Sequence, residues 1–278
     1  MKEDGSVTVS ALAITALAAL VMVVMLRTER TALERSVLYS SAARADAILD
    51  GAELSAVTVL RRDLETAPDL DHRGEAWTAI EEQDAPIAGG RFWLSIEDAQ
   101  GRYNINRLVR GSLNDQQVFT RLSIWAGLEP EISEAVFVFM EALGPVDDVE
   151  ALQAAGLSRR DIDQLRPFVT TLPEIVPVNL NAAPEAVLSA LFADHIVGRT
   201  LAARRAAGEA ISPDLLRQLR LARPPAASFN SSWFEIRTRI TMGRMDRARV
   251  TLIHRDDHRG QAVARIVERR PAPGDQGA

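Results

Sequence analysis

The sequence predicts an α+β protein, with a long N-terminal helix, an antiparallel sheet domain and a mostly helical domain inserted into that sheet. Three observations carry this prediction. An uncharged apolar run near the N-terminus passes into a stripe of apolar residues at helical spacing. Segments of alternating apolar and polar residues lie before residue 107 and after residue 228. The residues between those segments have helical periodicity.

The apolar run covers residues 7–26 and contains no charged side chain. A helix of 20 residues is about 30 Å long, which matches the hydrocarbon core of a bilayer. Arg27 and Arg30 end the run. It therefore predicts a transmembrane anchor. A cleaved secretory signal peptide is the alternative, but its apolar region is normally only ~7–15 residues long.

After the anchor, apolar residues recur at mostly three- and four-residue steps as far as Leu64, with Arg, Glu and Asp between them. This pattern is typical of an amphipathic helix. No proline occurs before Pro68, and Gly51 is the one weak point of the pattern. The periodicity leaves two interpretations open, namely one continuous spine helix, or an anchor followed by a separate core helix.

The remaining elements follow from local patterns. Residues 68–91 are predicted as loop, residues 91–97 as a strand, 98–101 as a turn, and 102–106 as a second strand or an extension of the first. Helices are predicted at residues 118–125, 131–143, 149–155, 160–168, 184–192, 197–207 and 213–220. Strands follow at 234–240, 247–254 and 261–268, and the Pro- and Gly-rich tail is predicted to fray.

These elements define a domain organisation. The predicted segments are a leader (1–5), a transmembrane helix (6–26), an amphipathic spine helix (27–67), the first part of an α/β domain (68–114), an inserted helical domain (115–227), C-terminal antiparallel strands (228–270) and a flexible tail (271–278). The helical domain contains helix–Gly–helix segments that resemble helix-hairpin-helix, SAM-like modules.

Composition excludes several kinds of chemistry. Hydrophobic residues make up 47% of the 278 residues and charged residues 25%, which is ordinary globular usage. The absence of cysteine excludes disulfides, thiolate metal sites and a cysteine nucleophile. The net charge is −6, but residues 111–190 carry −8 and residues 191–278 carry +7. The last block is therefore the part of the chain that would attract an anionic partner.

Two groups of residues could be mistaken for sites. His254, Asp256, Asp257 and His258 could ligate a metal from a turn between strands, but such a group is more often a solvated hairpin loop. A second group, Asp71, His72 and Glu75, could look catalytic, but we favour loop capping and packing by Trp77. The chain has neither a Gly-x-Ser-x-Gly elbow nor a His-Glu-x-x-His motif. We therefore predict no catalytic residues, no metal ligands and no enzymatic activity.

Four asparagines, Asn104, Asn106, Asn179 and Asn181, are predicted as turn residues and caps, with Asn181 capping the helix that Pro184 enters. The helix-hairpin-helix likeness raises an alternative function, a membrane-anchored DNA-binding protein. The hairpin at residues 193–198 lacks closely spaced glycines and contains an acidic residue, and the preceding block would repel phosphates. An anchored periplasmic hydrolase is the other alternative.

The leader Met-Lys-Glu-Asp-Gly directly abuts Ser6 and the apolar run. This arrangement resembles the type IV prepilin signal, in which a membrane peptidase cuts after the glycine and leaves the helix on the protein. The resemblance implies cleavage after Gly5 and a mature N-terminus at Ser6. Pilins usually carry Glu at mature position five, where this chain has Ser10.

A longer resemblance links the leader to the rest of the chain. Its ordered segments are residues 71–77 (DHRGEAW), 89–90, 96–109 (IEDAQGRYNINRLV), 165–169, 172–173, 177–184 (PVNLNAAP) and 229–237, followed by the Arg-rich terminal strands. This ordered set is similar to the minor pseudopilin K family of the type II secretion system, also called general secretion pathway protein K. That family also lacks Glu at mature position five, in agreement with Ser10.

The resemblance implies a structural tip subunit that helps to initiate pseudopilus assembly for protein export across the outer membrane. It implies minor pseudopilins I and J, other pseudopilins and the prepilin peptidase as partners, and no nucleic acid. It also implies a single-pass inner-membrane protein with its bulk in the periplasm, although Arg27, Arg30 and Arg35 oppose that orientation by the positive-inside rule. Residues 135–144 replace the family's usual Asp-rich stretch, so no cofactor is predicted and a family calcium site is in doubt.

Overall fold

The computed structural model describes the backbone of residues 4–243 and 245–272, and the side chains of these residues except 4–11 and 30–34. Its first element is helix α1, Asp4–Thr66, of 63 residues. Such a helix is about 95 Å long. It runs through Gly51 without a break, so the spine is continuous and the alternative of a separate core helix is wrong.

The two halves of α1 have different surroundings. The window Leu12–Glu29 has a mean hydropathy of 1.9, and none of it is buried in the protein. Further along, Ala45, Leu49, Ala56 and Leu60 are fully or almost fully buried against the sheet. Burying each leucine side chain contributes about 1.5–3 kcal/mol. The C-terminal half of α1 is thus anchored to the body, and the N-terminal half projects from it.

The main sheet has five antiparallel strands in the order β1-β2-β7-β8-β9. The strands are β1 (Glu82–Ile87), β2 (Gly90–Asp98), β3 (Tyr103–Asn104), β4 (Val169–Thr170), β5 (Val178–Asn179), β6 (Ala227–Ser228), β7 (Trp233–Met242), β8 (Met245–Asp257) and β9 (Ala262–Pro271). The short strands form two separate parallel pairs, β3 with β4 and β5 with β6. One face of the main sheet packs on α1, so the α+β fold class is confirmed.

Two predictions for the sheet were wrong. Strand β1 lies inside the segment predicted as loop, because Pro86 and three polar residues hide its pattern. Proline is tolerated there because β1 is an edge strand. Residues 102–106 do not extend the sheet, since only Tyr103–Asn104 is a strand and it pairs with β4. The chain leaves the main sheet after β2 and returns to it at β7.

Between β2 and β7 the chain is mostly helical. The helices are α2 (Leu113–Trp125), α3 (Pro130–Leu143), α4 (Arg159–Leu165), α5 (Glu185–Phe192), α6 (His195–Ala206) and α7 (Pro213–Gln218). Polar side chains cap four of them, with Ser112, Ser158, Asp194 and Ser212 accepting from backbone amides of the first turn. Val149–Ala155 is a 3-10 helix instead of the predicted α-helix. These helices enclose their own core, which also takes in Tyr103.

Helices α5 and α6 meet at Gly198. A Cβ atom added there would lie 2.1 Å from Ser189 Oγ and 2.6 Å from Ser189 N. We expect Gly198→Ala to lower the free energy of unfolding by about 1–3 kcal/mol, because the two helices would have to separate. Urea denaturation of the detergent-solubilised chain, followed by circular dichroism, would measure it.

The matched control is Gly51→Ala, in a helix with no atom within 4 Å of the added Cβ. Alanine should stabilise that helix by about 0.5–1 kcal/mol. An equal response at both positions would contradict the close approach of α5 and α6.

Candidate functional site

The predicted processing residues lie at the start of α1. Gly5, Ser6 and Ser10 belong to that helix by their backbone, and their side chains fall outside the described residues. The structure therefore leaves the cleavage after Gly5 and the role of Ser10 as predictions. The described apolar side chains that follow, from Leu12 to Leu26, are exposed and form a surface suited to lipid or to other helices.

The second half of α1 is fixed to the sheet by a buried carboxylate. Glu53 has no exposed surface, and it accepts hydrogen bonds from Thr251 Oγ1 at 2.6 Å, Arg269 Nε at 2.8 Å and Arg249 Nη1 at 3.0 Å. Burial alone would raise the pKa of Glu53, but these bonds lower it below its ordinary value. Glu53 is therefore an ionised anchor between the spine and the sheet.

A second buried ion pair holds the end of α1. Arg255 of β8 is 1% exposed and donates to Asp63 Oδ2 at 2.7 Å and to Leu60 O at 3.2 Å. Its other terminal nitrogen pairs with Asp71, just beyond the helix. The guanidinium also lies 4.5 Å from the ring centre of Phe234. One arginine thus joins the helix end, the following loop and the sheet.

The loop after α1 is built by the residues that could look catalytic. The Glu75 carboxylate accepts from His72 N and from Trp77 Nε1, each at 2.9 Å. The imidazole of His72 accepts from Gly74 N at 2.9 Å. Burial raises the pKa of Glu75 and of Asp71, although Arg255 opposes the rise for Asp71. The geometry therefore agrees with loop capping and packing by Trp77.

The histidine and aspartate residues between positions 254 and 258 lie in different surroundings in the structure. His254 lies inside β8, buried, with its ring centre 4.5 Å from that of Trp233. Asp256, Asp257 and His258 are exposed at the end of the strand. Among the described residues, the group of three such side chains whose possible ligand atoms all lie within 4.8 Å of one another is Asp63, Asp71 and Glu75. Arg255 pairs with the first two of these three carboxylates.

The asparagines lie where the helical block meets the sheet. The side chains of Asn104 and Asn179 each accept from the backbone amide two residues later, as turn residues do. Asn106 instead bonds Val146 in both directions. Asn181 bonds Ile211 in the same reciprocal way, so its prediction as a helix cap was wrong. Pro184 occupies the N-cap position of α5, without a side-chain bond.

Asp98, at the end of β2, connects three parts of the chain. Its carboxylate accepts from Ser231 Oγ at 2.7 Å, from Asn179 Nδ2 at 2.8 Å and from Gln100 N at 2.8 Å. Burial nevertheless raises its pKa from 3.8 to about 6. The ionised form is thus less favourable in the folded protein than in the unfolded chain.

This raised pKa predicts a pH dependence of stability. The contribution of Asp98 is fully present below about pH 4 and is lost as the pH rises through about 6, with an upper limit of about 3 kcal/mol. We expect the stability advantage of the wild-type chain over Asp98→Asn to be larger at pH 5 than at pH 7.5. Urea denaturation at both pH values measures this difference, and an advantage that grows with pH would contradict the assignment.

A groove of about 600 Å³ lies beside this junction, between the loop after α1, the end of β2 and the segment before α5. Its walls include Arg73, Thr78, Glu97, Asp98 and Asn181. The backbone amides of the hairpin before α6 are not free for a phosphate, because Asp194 Oδ1 accepts from Ile196 N at 2.7 Å and from Val197 N at 3.2 Å. This observation disfavours the DNA-binding alternative.

Sequence patterns had not shown the buried charges. Glu53 and Arg255 are buried with the apolar residues of α1 and β8. A buried charged side chain needs a partner, and this need was the available signal in the sequence. Glu235 is 3% exposed and bonds Arg102, Arg237 and Arg270. Except for Arg237, which is two residues from Glu235, the partners of these charges lie many residues away in sequence, so their pairing depends on the fold.

Comparisons with known proteins agree with this architecture. The chain is 31% identical over 179 residues to type II secretion system protein K of Pseudomonas aeruginosa, which covers 51% of the chain and 54% of that protein. It is 25% identical over 303 residues to the protein of the same name from Pectobacterium carotovorum, with 90% of the chain and 92% of the relative covered. The chain thus spans about half the length of the first relative. No family profile matches the chain.

A solved structure shares the fold. It is a chain of the crystal structure of the GspK-GspI-GspJ complex from the type II secretion system of enterotoxigenic Escherichia coli, with a TM-score of 0.66 and 18% identity. The match covers 85% of this chain and 99% of that one. An apolar helix of membrane-spanning length that continues into a helix packed on an antiparallel sheet is the architecture expected of a membrane-anchored protein. The chain is thus similar in sequence to two proteins named type II secretion system protein K and in fold to a chain of the GspK-GspI-GspJ complex, in agreement with the resemblance found in its sequence.

Proposed function

We propose that this protein is a minor pseudopilin of the type II secretion system, a structural subunit and not an enzyme. The observation that carries the proposal is α1, whose apolar half projects from the body while its second half is fixed to the sheet. A projecting apolar helix can leave the bilayer only if other helices cover it. Packing of such helices in a fibre meets that need.

The proposed partners are minor pseudopilins I and J and other pseudopilins. The shared fold with a chain of the GspK-GspI-GspJ complex supports them. The proposed location is the inner membrane, with α1 as a single span and the α+β body in the periplasm. We also propose that the prepilin peptidase cuts between Gly5 and Ser6, and that no cofactor is needed.

We place the subunit at the tip of the pseudopilus, where it would help to initiate assembly. The helical block from α2 to α7 adds bulk beside the sheet, and its repeated stacking along a thin fibre would cause clashes. Ser10 has no charge that could pair with the N-terminal amine of a neighbouring subunit. Both features suit an end position, at which one neighbour is absent.

Deletion of the gene tests this function. We expect the secreted proteins to accumulate in the periplasm, and the intact gene to restore export. In purified pseudopili, quantitative mass spectrometry should find this subunit far below the major subunit. Normal export after deletion would contradict the pseudopilin role, whereas abundance near that of the major subunit would contradict the tip position alone.

A further inference from the structure

The arginines of the basic C-terminal block, residues 191–278, lie in two kinds of environment. On the strands, Arg237, Arg249, Arg255 and Arg270 all have carboxylate partners. Arg205 of α6 has none among the described residues. Its side chain instead donates to three backbone carbonyl oxygens, those of Leu180, Asn181 and Ala183, at 2.5–3.2 Å. The positive charge of Arg205 is thus held in place without being neutralised.

Arg73 faces the same region from the loop after α1. It lines the groove together with Asn181, whose carbonyl accepts from Arg205. Burial lowers the pKa of Arg205, and the nearby charge of Arg73 lowers it further. Arg73 is exposed, and its side chain has no hydrogen bond or ion pair within the described part of the chain. Two like charges therefore lie near each other beside the groove, and neither has a carboxylate partner among the described residues.

The backbone that carries Arg73 is fixed. The flanking residues His72 and Glu75 bond each other in both directions, at 2.9 and 3.2 Å. Thr78 Oγ1 donates to the carbonyl oxygen of Arg73 at 2.8 Å. A ligand group that binds Arg73 would therefore order one side chain and no loop, which keeps the entropic cost of binding low.

The carboxylates that line the groove accept hydrogen bonds from residues other than Arg73. Asp71 bonds Arg255, and Asp98 bonds Ser231 and Asn179. At the rim, Glu81 accepts from Gln83, and Glu97 accepts from Arg237. The remaining basic residue of the groove, Arg102, pairs with Glu235. Arg73 is thus the arginine of the groove that has no carboxylate partner among the described residues, and the charge of Arg205 lies nearby.

We propose that Arg73, supported by the carbonyl-held Arg205, binds an acidic side chain of a partner subunit in this groove. Guanidinium groups bind carboxylates through paired, charge-assisted hydrogen bonds. A volume of about 600 Å³ admits one segment of a polypeptide. The four carboxylates around it disfavour a polyanion such as DNA, which places several phosphates along its path. This inference rests on the proposed function, because the partner is another subunit of the assembly.

The test measures binding of the full-length chain in detergent to purified minor pseudopilins I and J. We expect Arg73→Glu to weaken the complex by about tenfold or more at low salt, and the difference to shrink at high salt, as expected for an exposed ion pair. Arg110→Glu is the matched control, because Arg110 is also exposed and lies outside the groove, and it should change binding less than twofold. Thermal unfolding of both variants checks that they are folded.

The outcomes separate the two proposals. If the wild-type chain fails to bind these subunits, the proposed partners are wrong and the inference falls with them. If the wild-type chain binds and Arg73→Glu behaves like Arg110→Glu, the inference alone is overturned. Binding of duplex DNA that Arg73→Glu abolishes would also overturn it, because the site would then serve phosphates.

Discussion

Arg255→Met should lower the free energy of unfolding by about 3–5 kcal/mol. The substitution keeps an apolar stem of similar length and removes the guanidinium. Asp63 and Asp71 would then be buried with no positive partner, because Arg255 is the arginine that pairs with both of them. Burying an unpaired carboxylate costs far more than the intact ion pair contributes. Urea denaturation of the detergent-solubilised chain would measure the loss.

The matched control is Arg265→Met on the neighbouring strand β9. Arg265 lies opposite His254 in the register of β8 and β9, and it is exposed. Its substitution should change stability by less than about 0.5 kcal/mol. A loss below 1 kcal/mol for Arg255→Met would show that water reaches the two carboxylates, and would contradict the buried junction.

A second variant distinguishes the effect of the unpaired carboxylates from that of a packing defect. In Arg255→Met combined with Asp63→Asn and Asp71→Asn, none of the three positions carries a charge, so part of the lost stability should return. Hydrogen exchange should show the largest loss of protection in the last turns of α1, near Leu60 and Asp63, since Arg255 bonds both residues. Equal loss of protection throughout the helical block would contradict this local role.

The regular elements could be predicted because their patterns are local. The apolar stripe of α1 repeats at helical spacing, and β7 and β8 alternate, so both were expected close to their observed bounds. Strand β1 was missed because it lies at the sheet edge and is mostly exposed, so no alternation is imposed on it. The segment from Tyr103 was misread because its apolar residues pack into the helical core instead of the sheet.

The junction could not be predicted from local patterns. Asp71 is separated from Arg255 by 184 residues and Glu53 from Thr251 by 198. The partners of such charges are fixed only by the sheet order and register, which no local sequence pattern specifies. The loop residues His72 and Glu75 were interpreted correctly, because their bonds lie within three residues of one another.

Gly5→Val should abolish processing of the N-terminus. We propose that the peptidase accepts glycine because its pocket before the scissile bond is small, and the β-branched side chain of valine would not fit. The unprocessed chain would keep Lys2, Glu3 and Asp4 ahead of the apolar run. Charges at this end oppose the passage of α1 from lipid into a helical fibre, because each must stay in contact with water. We therefore expect export to fall to the level of the deletion strain.

N-terminal sequencing of the protein extracted from membranes measures the cleavage directly. The wild-type chain should begin at Ser6, whereas Gly5→Val should keep its uncleaved leader. Ser6→Ala is the matched control, since it replaces the residue after the scissile bond by a small one and should be processed. A wild-type chain that begins at Met1, or beyond Leu26, would contradict the prepilin interpretation. The first outcome would mean that the chain is not processed, and the second that a different peptidase removes the anchor. In either case α1 could not serve as the helix of a pseudopilus subunit.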